Sequence, residues 1–107
     1  MQESVPAGRG EVTKEHLENA LKNGVDENAL RIRDAWLLKR IGKERNIGVV
    51  RERLLFRLET ARTLQELGML QDAREMFEDV QANAKHGDEP EIAAEAAEAI
   101  QSLPTIH

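Results

Sequence analysis

The run from Leu54 to Lys85, LLFRLETARTLQELGMLQDAREMFEDVQANAK, constrains the fold more than any other part of this chain. Val50, Leu54, Leu58, Ala61, Leu64 and Leu67 recur at steps of three and four, the spacing of one face of an α-helix. Gly68 interrupts that pattern, and a second face follows at once: Leu70, Ala73, Met76, Phe77, Val80 and Ala84, ending at Gly87. Two amphipathic helices joined by so short a turn must lie antiparallel. Ala73 permits close approach of their axes, and Phe77 fills the space beyond it. No segment alternates convincingly between apolar and polar residues, so no sheet is expected.

The flanks extend the same architecture. Thr13 is placed to cap a short helix carrying Leu17, Ala20 and Leu21 on one face and ending at Gly24. Asp26 caps the next helix, which is expected to stop at Gly42. Its apolar residues, Leu30, Ile32, Trp36, Leu37, Leu38 and Ile41, cover more than one narrow stripe, as in a helix gripped on two sides. Residues 42–48, GKERNIG, read as a basic connector. Asp88 and Glu91 form a capping-box pattern around Pro90, opening a last helix that buries Ile92, Ala96, Ile100 and Leu103 before Pro104. The expectation is an all-α, small five-helix antiparallel bundle. A single domain spans residues 13–103, with helices at about 14–23, 27–41, 47–67, 70–86 and 89–103 and flexible tails at 1–12 and 104–107.

With 107 residues the chain has room for one modest core. It has no cysteine, which removes disulfides, thiol nucleophiles and thiolate metal sites and fits a cytoplasmic setting. The start, MQESVPAGRGEV, lacks the apolar region of a signal peptide, and no run is long enough to cross a bilayer.

The net charge of -5 conceals an asymmetry. Residues 31–57 carry nine Lys/Arg against three acids, a local +6, whereas 58–107 carry three basic residues against eleven acids, a local -8. Such a molecule is suited to an acidic partner, to docking an internal acidic face, or to head-to-tail association with itself.

The segment 54–87 resembles a tetratricopeptide repeat, whose period is about 34 residues. Ala61 takes the small position of the first helix, and Leu64 takes its large apolar one. Gly68 and Leu70 match the turn, and Ala73 and Phe77 match the small and aromatic positions of the second helix. The segment departs from the pattern where Arg57, Thr60 and Ala61 replace the Trp and the Leu-Gly pair, and where the closing Pro is absent. The flanking helices do not register as further repeats. The resemblance implies one repeat-like hairpin inside the bundle and a concave face showing Leu55, Leu58, Arg62, Gln65 and Glu66. That set differs from the Lys/Asn/Arg clamp for a C-terminal carboxylate and leaves an apolar patch with a polar rim, fit for a helix.

Little in the sequence speaks for chemistry. His16, His86 and His107 are not spaced as metal ligands; His86, at a helix C-terminus, and His16 read as a cap or a plain surface residue, and His107 is terminal. Glu59, Glu66, Glu75, Glu78 and Asp79 lack the companion histidines of a di-iron bundle. There is no tyrosine, no phosphate-binding glycine loop and no nucleophile–base ordering. The chain is therefore expected not to be an enzyme and to need no cofactor, metal or small-molecule substrate. It is read as a protein-interaction or assembly module whose partner is another protein or a second copy, without membrane insertion.

The binding group expected is Ile32, Trp36, Arg40, Leu55, Arg62 and Glu66. Trp36 belongs either to the core or to an interface. Exposed, it anchors a partner; buried, it leaves the face without that anchor. The rival reading is nucleic-acid binding or regulation through Arg31, Lys39, Lys43, Arg45, Arg51 and Arg53, for which a phosphate backbone needs such a cluster. The acidic half of the chain, which repels a duplex, disfavours it.

Overall fold

A computed structural model describes residues 12–104 and is helical throughout its length, with no strand among the described residues. Five helices follow in order: α1 (Lys14–Leu21), α2 (Glu27–Arg45), α3 (Val50–Glu66), α4 (Leu70–His86) and α5 (Pro90–Ser102). The all-α expectation is met. The tails expected at 1–12 and 104–107 lie outside the described residues, apart from Val12 and Pro104. The chain divides into two compact units, one reaching Lys43 and the other beginning at Glu44.

In the first unit, α1 opens with a reciprocal cap. The Thr13 hydroxyl oxygen accepts the His16 backbone N–H at 3.2 Å, and His16 Nδ1 accepts the Thr13 N–H at 3.1 Å. Histidine thus takes the place usually held by Glu or Gln in such a box. Gly24 adopts φ +96° and donates its N–H to the Leu21 carbonyl, a conformation that favours glycine. Asp26 then caps α2, its Oδ1 accepting the Ala29 N–H at 2.9 Å. Ala29 and Trp36, two turns apart on one face, are both buried.

α2 does not stop at Gly42. It runs one turn further to Arg45, through the stretch expected as a connector. A glycine inside a helix costs about 1 kcal/mol relative to alanine, too little to end one whose last turn is held elsewhere. That hold comes from Glu44, as shown below.

The second unit is built around α4, which packs against α3 on one side and α5 on the other. Its interior comprises Leu54, Leu58, Ala61 and Leu64 from α3, Ala73, Phe77, Val80 and Ala84 from α4, and Ile92, Ala93 and Ala96 from α5. Met69 and Leu103, just beyond helix ends, complete it. Phe77 is fully enclosed, and the alanines at 61, 73, 84 and 96 let the axes approach. Thr60 is buried too, and its hydroxyl donates to the Phe56 carbonyl at 3.0 Å, which satisfies it. Val50, expected in the α3 stripe, is instead 49% exposed at the start of that helix.

The two turns of this unit share one geometry. After α3, Gly68 donates to the Gln65 carbonyl and Met69 to that of Leu64, with Gly68 at φ +83°. After α4, Asp88 donates to Lys85 and Glu89 to Ala84, with Asp88 at φ +60°. Both are Schellman closures. The second corrects the expected capping box: Asp88 is the left-handed closing residue of α4, and Glu89 stands at the N-cap of α5 without a side-chain cap hydrogen bond. Gly87, at φ -87°, does not need to be glycine for its backbone conformation.

Candidate protein-binding surface

The residues expected at a binding face fall on two helices. On α2, Ile32, Trp36 and Arg40 are spaced four apart and share a side. Trp36 is only 5% exposed, Ile32 is half-buried, and the Arg40 guanidinium stands 5.6 Å from the Trp36 ring centroid, over the indole. Trp36 is therefore no open anchor. The exposed apolar side of α2 carries other residues: Leu38 is 69% exposed and Ile41 42% exposed. Gly42 continues the same stripe, and Lys39 and Lys43 lie exposed beside it.

On α3, Leu55, Glu59, Arg62 and Glu66 follow steps of four, three and four along the outward side. Leu55 is 40% exposed, whereas its neighbour Leu58 is core. Arg62 links α3 to a neighbouring helix. Its Nη2 reaches across to Glu95 of α5 at 2.5 Å. Arg51 makes a second cross-link, donating to Glu89 at 2.7 Å with Glu91 at 3.8 Å. The two links advance in the same direction along both helices, so α3 and α5 run side by side in parallel, each antiparallel to α4.

A third set of ion pairs is more enclosed than these two. Arg57 of α3 donates Nε to Glu44 Oε1 at 3.0 Å and Nη2 to Glu44 Oε2, while Nη1 donates to Asp79 of α4. The Glu44 side chain is 13% exposed. The hydrogen bond to Glu44 holds the guanidinium above its ordinary pKa, against the opposing effect of burial, and Asp79 adds to the rise.

These pairs change the meaning of the basic stretch. Arg51 and Arg57 are turned onto acids of their own unit, Arg33 pairs with Asp34 at 2.9 Å, and Arg53 is half-buried. Arg31 Nη2 donates to Asn28 at 3.4 Å, and Arg31, Lys39, Lys43 and Arg45 are exposed. The positive charge of residues 31–57 thus serves partly to clamp α3 to its acidic neighbours rather than forming one uninterrupted phosphate-binding strip.

Two concavities lie in the second unit. A shallow groove of about 380 Å³ runs between the end of α4 and the start of α5, floored by Ala84, Ala93, Ala94 and Ala97 with Gln81 and Lys85 at its edge. Beside it, the outer flank of α5 carries Ala94 and Ala97 between Glu91, Glu95 and Glu98. Among the described residues no group of three or more His, Asp or Glu side chains is placed to hold a metal ion, and no helix is long and apolar enough to cross a membrane. His16 is in the α1 cap and His86 in the last turn of α4; His107 lies outside the described residues.

Leu38 and Ile41 were not singled out as site residues from the sequence. Their signal was present, since the apolar positions of α2 are too widely spread for one buried stripe. No known protein family, curated protein or solved structure matches this chain.

Proposed function

We propose that this chain is a non-enzymatic protein-interaction or assembly module that takes up a helix, from a second copy or another protein, on an apolar helix face with a charged rim. The observation that carries this reading is the exposure of Leu38 and Ile41 on one side of α2 while Trp36, on another, is buried. Large aliphatic side chains side by side in solvent support a surface that is covered in use. The second unit offers a complementary kind of surface, with small residues on α5 and an outer α3 face bearing Leu55, Arg62 and Glu66. Its hairpin keeps the tetratricopeptide likeness in the proposal, because Ala61, Gly68, Ala73 and Phe77 occupy buried or turn positions consistent with that motif. The lack of cysteine supports a cytoplasmic setting.

The test is amide-resolved NMR of the labelled chain, first over a concentration series and then with synthetic amphipathic helical peptides of acidic and of basic character. Concentration- or peptide-dependent shifts gathered on the exposed side of α2, the outer face of α3 or α5 support the reading. Spectra unmoved by concentration and by every peptide overturn it.

A further inference from the structure

The turn between α1 and α2 holds the one Asn-Gly pair of the chain, Asn23-Gly24, and we infer that Asn23 is a site of spontaneous covalent conversion to aspartate and isoaspartate, with water as the sole other reactant. The first step is intramolecular. The backbone nitrogen of Gly24 attacks the side-chain carbonyl carbon of Asn23, and the new C–N bond closes a succinimide ring. The carboxamide nitrogen leaves as ammonia, taking the Gly24 amide proton. Water then opens the ring at either carbonyl. Opening at one yields aspartate. Opening at the other routes the main chain through the former side chain, giving isoaspartate and an added backbone methylene. Nothing is oxidised or reduced.

The local structure favours this asparagine over the others. Asn23 and Gly24 are both exposed and lie between the last residue of α1, Leu21, and the first of α2, Glu27. A side chain on the residue after asparagine shields that residue's own nitrogen, and glycine has none. A Cβ added at Gly24 meets nothing within 4 Å, so the ring has open space to form. One restraint opposes the attack: the Gly24 N–H donates to the Leu21 carbonyl at 2.9 Å. That bond lies past the end of an eight-residue helix, where fraying opens hydrogen bonds most readily. Asn19, Asn28 and Asn83 sit inside helices, each followed by alanine. The Asn83 carboxamide also donates to the Asp79 carbonyl at 2.8 Å and to Asp79 Oδ1 at 3.1 Å. Asn46 follows the end of α2, but the β-branched Ile47 comes next and crowds its own nitrogen.

Conversion alters α1. The new carboxylate stands one residue past Lys22, the C-cap of α1, where the partial negative charge of the helix end disfavours an anion. Isoaspartate also lengthens the turn that the Gly24–Leu21 hydrogen bond closes. The product therefore holds α1, with its fully buried Leu17, less firmly than the parent chain does.

The experiment holds the full chain in warm, mildly alkaline buffer, with and without urea, and samples it by tandem mass spectrometry, which assigns the altered residue. In the folded chain Asn23 is expected to gain the mass difference between a hydroxyl and an amino group ahead of the other four asparagines. Urea is expected to speed the gain at Asn23 by releasing the Gly24 N–H. Asn23→Gln, whose extra methylene disfavours ring closure, is expected to lose the early gain. An Asn23 that converts no faster than Asn46 in the folded chain overturns the inference, as does an Asn23→Gln chain that gains mass as early as the parent. The converted chain, separated by its added negative charge, is then compared with the parent by amide hydrogen exchange. Lost protection in residues 14–21 is the expected result, and unchanged protection there overturns the loosening of α1.

Discussion

Arg57 of α3 forks onto the carboxylate of Glu44 in the last turn of α2 and, with its remaining nitrogen, reaches Asp79 of α4. One side chain thereby fixes the end of one helix to the flanks of two others. A bidentate Arg–carboxylate pair with a mostly enclosed acid is stronger than an exposed pair, because geometry is fixed and screening reduced. Arg57→Ala should therefore lower unfolding stability by about 1–3 kcal/mol, chiefly by leaving Glu44 without its partner. Arg57→Lys should recover only part of that loss, since an ammonium cannot make the fork. Urea titration of the three proteins checks both statements.

The same group gives a pH expectation. Its pKa is raised in the folded chain, so its contribution is complete below the unfolded value and disappears only as pH climbs through the folded one. That window is strongly alkaline. Mildly alkaline buffer should accordingly leave the difference in melting temperature between the unaltered chain and Arg57→Ala unchanged.

Asp88 holds a left-handed conformation that glycine occupies without steric cost. Asp88→Gly is expected to stabilise the second unit by about 0.5–1 kcal/mol, whereas Gly68→Ala, at the equivalent position after α3, is expected to destabilise it by about 1 kcal/mol or more. Opposite shifts of the denaturation midpoint for the two substitutions would establish that both turns close in the same way.

Phe77 has no exposed surface. Phe77→Ala removes a fully packed ring and should cost about 3–5 kcal/mol, a large share of the stability of so small a unit. Thermal unfolding followed by circular dichroism measures the loss.

The Arg62–Glu95 pair is nearly half exposed on both sides. A double-mutant cycle with Arg62→Ala and Glu95→Ala should give a coupling of only about 0.2–1 kcal/mol, shrinking as salt is added.

Much of this architecture was legible in local signals. The α3–α4 hairpin could be read from Leu54, Leu58, Ala61 and Leu64 at helical steps, from Gly68, and from Ala73 and Phe77, because short-range spacing decides which face is buried. The caps at Thr13 and Asp26 were equally local. What escaped were features set by distant partners. Gly42 looked like a helix end, yet α2 continues to a glutamate held by Arg57, thirteen residues further on. Gly87 looked like the closing glycine, but the left-handed residue is Asp88, because the hydrogen bond from Glu89 to Ala84 places the closure one residue later. The exposed aliphatic pair on α2 was hidden for a related reason. An apolar pattern wrapped around a helix shows that two sides are engaged, without showing which one faces the core. Trp36, the more conspicuous residue, took the buried side.

The most direct test of the proposal that the exposed side of α2 is covered by a helix of a second copy is the chain's solution mass across a concentration series at low salt and at about 0.5 M salt, where charges beyond a few ångströms are screened. The account predicts mass rising above the 12.1 kDa of one chain as concentration increases, more steeply at low salt than at high. A mass that stays at 12.1 kDa through the whole series in both buffers contradicts it.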